Sequence, residues 1–139
     1  MKSVFADADY WVALLHPGEQ LHEKAKRASQ RLQPVRLVTS EMVLVEVLNI
    51  LGSRGNAIRS KACEAVRQLR QNPNVTVIPQ TSAQFSEALA FYGGHQDKEW
   101  SQTDCASFLI MREHGISEAL THDKHFEQAG FKALLRESD

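Results

Sequence analysis

The chain has only two cysteines, Cys63 and Cys105, among 139 residues. That is too few, and too widely spaced, for a disulfide scaffold or a thiolate zinc site, so both read as small buried hydrophobes. Long apolar runs are also missing. The longest, residues 10–15, is far below the ~20 residues needed to cross a bilayer, and no membrane association is expected. A secretory leader would need an apolar stretch after Lys2, but Asp7 and Asp9 interrupt it and no small-residue cleavage site follows. The expected location is therefore the cytoplasm. Nor does one sign of charge dominate: 16 Lys and Arg against 17 Asp and Glu leave a formal charge of -1. No whole-molecule field draws in a polyanion, and any site for one must be local. The few Gly and Pro are scattered as punctuation, with no repeat and no low-complexity tract.

What is present is ordinary globular composition, 42% hydrophobic and 24% charged, at the length of one domain, so residues 1–139 are expected to form a single domain. Periodicity predicts an alternation of strands and helices. Short apolar or β-branched runs at 3–6, 36–38, 75–78, 117–121 and 131–134 read as strands. Segments 10–15, 19–32, 42–51, 56–71 and 82–92 read as helices, as does a stretch from Ser101, Thr103 and Asp104 as capping residues to about His114; a short helix precedes the last strand. Thr39 or Ser40 is the expected cap of the third helix. Strands separated by helices imply an α/β fold, a mostly parallel sheet covered on both faces.

In such a sheet ligands bind outside the carboxyl ends of the strands. Asp7 follows the first strand, Asp123 follows the strand at 117–121, and Asp104 opens the helix leading into it. Taken singly, each has an ordinary explanation as a helix cap or dipole partner worth about 1 kcal/mol. Glu46 is less easily explained, because it sits in the apolar helix MVLVEVLNIL at 42–51. A partly buried carboxylate there needs a cation or a proton, and a salt bridge to Arg54 or Arg59 would be one ordinary solution. If Asp7, Glu46, Asp104 and Asp123 converge to ~5 Å, each ionised pair repels by about 3 kcal/mol at an effective dielectric of ~20. A bound divalent cation or raised pKa values must then accompany the cluster. Oxygen ligands without Cys or grouped His favour Mg²⁺ or Mn²⁺ over Zn²⁺. His122 and His125, three apart and without further partners, read as capping or packing residues, and Trp11 and Trp100 as core or rim. Lys24, Arg27, Arg59 and Arg67 on the basic helices are candidate contacts for phosphates, or simply solvated.

Four segments together carry a family resemblance: SVFADA at 3–8, VEVLN at 45–49, WSQTDCASF at 100–108, and ALTHDKHF at 119–126 followed by AGF at 129–131. They resemble the PIN domain family, and within it the small VapC-like toxins. The resemblance implies a three-layer α/β/α sandwich and a Mg²⁺- or Mn²⁺-dependent endoribonuclease acting on RNA. It also implies a small antitoxin as partner and a homodimer. On it, Asp7 and Asp104 match the principal metal ligands, Asp123 and Glu46 complete the acidic pocket, and Ser101 and Thr103 support Asp104. Asp9 stands where many relatives have a small hydroxyl residue, either as an outer carboxylate or as a cap of the following helix. The alternatives are a PIN-like module that binds RNA or protein without cutting, and an Asp-x-Asp phosphatase using Asp7 and Asp9.

Overall fold

In a computed structural model, which describes residues 1–138, the first strand β1 (Lys2–Ala6) lies at the centre of the sheet. Val4, Phe5 and Ala6 have no exposed surface, as expected for a strand covered on both faces. On one side β1 pairs with β2 (Val35–Ser40), which pairs with β3 (Val75–Ile78); on the other it pairs with β4 (Glu118–Leu120), which pairs with β5 (Lys132–Ala133). All four pairings are parallel and the order is β3-β2-β1-β4-β5. The chain therefore builds outward from β1 to one side, then returns to add β4 on the other. The space between the carboxyl ends of β1 and β4 is the point where the order reverses, the favoured binding crevice of an open parallel sheet.

Seven helices surround the sheet among the described residues: α1 (Ala8–Leu15), α2 (His22–Arg31), α3 (Glu41–Gly52), α4 (Asn56–Gln71), α5 (Ser82–Gly93), α6 (Gln102–Glu113) and α7 (Lys124–Gln128). The expected elements are all present, and their ends shift for local reasons. Helix α1 begins at Ala8 rather than residue 10, because Asp7 is already its extended N-cap residue. Helix α2 begins at His22 rather than 19, after turns that include Pro17 and Gly18. Ser40, not Thr39, caps α3, its side chain accepting from the Val43 amide at 3.1 Å. Thr39 lies inside β2 and donates to the Ala6 carbonyl at 2.8 Å, while Trp11 Nε1 donates to the Thr39 hydroxyl at 3.3 Å. Strand β5 is only two residues, since residues 134–136 turn into a short 3-10 helix.

The helices present their apolar sides inward. In α3, Val43, Leu44, Val47 and Leu51 are buried while Val45 and Ile50 face outward, so this apolar segment has one buried face rather than burial all round. Both tryptophans belong to the core, as does Cys105, and Cys63 is partly covered; both cysteines are free. Trp100 fastens the segment that delivers α6. Its ring stacks on Phe91 at 6.0 Å and meets Phe108 edge-on at 5.1 Å, and its Nε1 donates to Gln128 Oε1 at 3.0 Å. Residue 101, the start of α6, is thereby held beside the carboxyl ends of β1 and β4.

Candidate functional site

Asp7 leaves the end of β1, and its backbone amide donates to the Leu120 carbonyl at 3.1 Å, which ties it to the neighbouring strand. Although it occupies the N-cap position of α1, its side chain makes no capping bond. The carboxylate instead accepts from the Thr121 hydroxyl, Oγ1 to Oδ2, at 2.8 Å. Thr121 is fully buried just past β4, and its oxygen also accepts from the Asp123 amide at 3.1 Å. One hydroxyl thus joins the β1 acid to the backbone of the β4 acid.

Asp9 faces the same place. Its Oδ2 accepts from the His122 amide at 2.7 Å and lies 3.4 Å from Thr121 Oγ1, so it holds the turn after β4 and does not cap α1. Its other oxygen, Oδ1, is buried with no hydrogen-bond partner. Asp104 arrives from α6 in a reciprocal cap: its amide donates to Ser101 Oγ at 3.0 Å and its Oδ2 accepts from the Ser101 amide at 3.1 Å. Such a capping box holds the carboxylate in one orientation. Asp123 caps α7, Oδ1 accepting from the His125 amide at 2.9 Å. Glu46 reaches in from α3, half-buried. Ser101 thus holds Asp104 as expected, while Thr103 acts on Glu46, where it opposes the rise in pKa. No ion pair joins Glu46 to an arginine among the described residues, because Arg54 pairs with Glu19 at 3.0 Å and Arg59 lies along Gly52.

These acids line one cleft of about 600 Å³ at the carboxyl edge of the sheet. Glu19 and Glu99 add to its negative wall, which Arg54 and His125 also line. Lys24, Arg27, Arg59 and Arg67 lie outside it. The electrostatic cost is visible in the carboxyl groups. Burial, then the charge of Asp9, pushes Asp7 well above the ordinary carboxylate range, against the opposing Thr121 bond. Burial pushes Asp9 up to about 6, opposed by the His122 amide. Asp104 and Glu46 are raised as well, first by burial and further by neighbouring negative charge. Acids in that position hold protons or accept a cation.

Two residues of this constellation are absent from the sequence-derived set of candidates. Thr121, read as a strand residue, is the hydroxyl on which the cluster is hung, and its signal is the Thr-x-Asp spacing in which a hydroxyl accepts an amide two residues on. His125, read as a capping or packing residue, has Nδ1 3.2 Å from Asp104 Oδ2 and 3.2 Å from Asp123 Oδ1. One atom each of Asp104, Asp123 and His125 lies within 4.8 Å of the others.

The "PIN domain" family model matches residues 4–132. The chain belongs to the PIN domain family. That membership displaces the Asp-x-Asp phosphatase alternative. A curated relative of this PIN domain, "23S rRNA-specific endonuclease VapC20" of Mycobacterium tuberculosis, is 33% identical over 128 residues, 92% of this chain and 95% of the relative. The crystal structure of M. tuberculosis VapC20, described as a Sarcin-Ricin loop cleaving toxin, superposes with a TM-score of 0.82 at 31% identity, over 92% of this chain and 95% of that one. FitAcB from Neisseria gonorrhoeae, at 18% identity over 94% of each chain and a TM-score of 0.61, shares the fold.

Proposed function

We propose that this single-domain protein is a metal-dependent endoribonuclease, the toxin of a toxin-antitoxin pair, working in the cytoplasm on ribosomal RNA. The observation that carries this reading is the convergence of Asp7, Asp9, Glu46, Asp104 and Asp123 on one cleft at the point where the strand order reverses. The likeness to VapC20 supports the choice of RNA, and makes 23S rRNA the first substrate to test. A small antitoxin and a second copy of the chain are the partners that the family suggests.

The donor set fits a divalent cation. It is rich in carboxylate oxygens, one of them, Asp9 Oδ1, buried without a partner, and several of its acids are held above their ordinary pKa, first by burial and further by neighbouring carboxylates. Asp7, Asp104 and Asp123 would hold Mg²⁺ or Mn²⁺, with Glu46 completing the pocket. When bound, such an ion lowers the pKa of water and neutralises charge on the phosphoryl oxygens. The chain's own groups do the rest. Thr121 and Ser101 fix Asp7 and Asp104 by one oxygen each, so that neither carboxylate must reorganise during the reaction. Glu46, with its pKa raised by burial, takes the proton of the attacking water as the new P–O bond forms and the opposite P–O bond breaks. Asp9 holds the turn that carries Asp123.

The test is cleavage of purified ribosomes and 23S rRNA fragments with Mg²⁺ or Mn²⁺, with and without EDTA, mapped by primer extension. Asp7→Asn and Asp104→Asn are each expected to lose at least about 100-fold in rate, as when a preorganised electrostatic group is removed. Cleavage that survives EDTA, or that both variants retain, refutes the proposal; binding without cleavage by the intact protein would favour the non-catalytic alternative.

A further inference from the structure

The acids alone make an all-oxygen site, but the geometry adds a nitrogen. His125 lies two residues beyond Asp123, and its Nδ1 stands at the same distance, 3.2 Å, from Asp104 Oδ2 and Asp123 Oδ1. Each of those oxygens already accepts a backbone amide, Ser101 for Asp104 and His125 itself for Asp123. Two of the three atoms, the carboxylate oxygens, are therefore fixed by backbone amides rather than free to swing away. A ring N–H directed at one carboxylate leaves the second, equally near, without a well-aligned bond. Neighbouring ligands of an octahedral ion with bonds of about 2.1 Å are about 3.0 Å apart, close to the 3.2 Å that separates Nδ1 from each of the two oxygens.

We propose that His125 Nδ1 is a ligand of the divalent ion, joining Asp104 and Asp123 as a third donor, and that it biases the site toward Mn²⁺ over Mg²⁺. This rests on the metal-dependent reading above. Mg²⁺ keeps oxygen ligands and sheds water reluctantly, whereas imidazole suits transition ions. A histidine that only positioned the carboxylates would change the affinity for both ions alike. A histidine ligand changes the ratio.

The experiment is Mn²⁺ binding to the intact protein without RNA, followed by pulsed electron paramagnetic resonance and by calorimetry with Mn²⁺ and Mg²⁺ separately. The expected spectrum shows nitrogen hyperfine coupling to Mn²⁺, kept in His122→Ala and lost in His125→Ala. His125→Ala is expected to lower Mn²⁺ affinity at least about tenfold while changing Mg²⁺ affinity less than about twofold. The spectrum of the unsubstituted protein tests the point even where a variant folds poorly. Tight Mn²⁺ binding and EDTA-sensitive RNA cleavage without nitrogen coupling would overturn the histidine ligand and leave the nuclease standing. Equal losses for both ions, or a coupling that disappears with His122→Ala, would overturn it as well. Failure to bind either ion would overturn the metal-dependent reading itself.

Discussion

Asp9→Asn separates the energetic cost of the acidic cluster from its chemistry. Asp9 is raised from the ordinary 3.8 to about 6, chiefly by burial. A group whose folded pKa lies above its unfolded one stabilises the protein relatively at low pH, below about 3.8, and that advantage is lost as the pH rises through about 6. Linkage converts the gap into a destabilisation by ionised Asp9 of about 0.5 kcal/mol at pH 4, growing to about 3 kcal/mol at pH 8. In the Asp9→Asn variant the side-chain carbonyl keeps the bond from the His122 amide, while the side-chain nitrogen takes the place of the unpartnered Oδ1. That exchange has its own cost or gain, but it does not depend on pH and cancels when two pH values are compared. Urea unfolding of the metal-free protein in EDTA should therefore move in favour of Asp9→Asn by about 2–3 kcal/mol between pH 4 and pH 8. Millimolar Mn²⁺ should restore much of the advantage to the unsubstituted protein at pH 8, since binding to the folded state alone stabilises it. A difference between the two proteins that is flat with pH in EDTA would refute the claim that uncompensated charge burdens this cleft.

Thr121→Val removes both the donor to Asp7 and the acceptor for the Asp123 amide; it should cost about 2–4 kcal/mol in urea unfolding and slow RNA cleavage more than tenfold. The Thr121 bond holds the pKa of Asp7 down, so the acid limb of the rate profile should also move to higher pH in this variant. Trp100→Ala should cost about 3–5 kcal/mol, and its remaining activity should show weaker metal binding, because the segment before Ser101 loses its anchor. Glu46→Gln should lower kcat about 100-fold or more with little change in KM, and should flatten the part of the pH profile that rises through the raised pKa of Glu46. An unchanged profile would remove Glu46 from the proton transfer.

The strands and helices were legible because their signals are local: Val75 to Ile78 is β-branched between turn residues, and Gly115 ends α6 as expected. The strand order was not, since nothing local in β4 says that it pairs with β1 rather than β3. Asp7, Asp104 and Asp123 could be named from their positions at element ends, Glu46 from its place in an apolar helix, and all four from the family resemblance. Ser101, three residues before Asp104, was legible as its support, but Thr121 and Trp100 were not, because their contacts are far apart in sequence. Thr121 meets Asp7 across 114 positions, and Trp100 meets Gln128 across 28. Asp9 was ambiguous for a simpler reason. As a residue near a helix start it has the look of a cap, and only the immediate start of α1 after Asp7 turns its carboxylate toward the His122 amide.

The apparent redundancy of acids in this cleft follows from how each is held. Asp7, Asp104 and Asp123 all sit at helix starts, where backbone amides and the helix dipole favour negative charge, yet Asp7 makes no capping bond and Asp104 shares its own with Ser101. Capping alone would not require Thr121 to be buried behind Asp7, or Asp9 to be drawn under the β4 turn with one oxygen left unpartnered. A fold needing only helix caps would have no reason to bury these groups, since exposed carboxylates cap equally well without desolvation. The burial is therefore spent on orientation: it holds carboxylates from the end of β1, from α3 and from the starts of α6 and α7 along one cleft against their mutual repulsion, which a cation between them would turn into attraction.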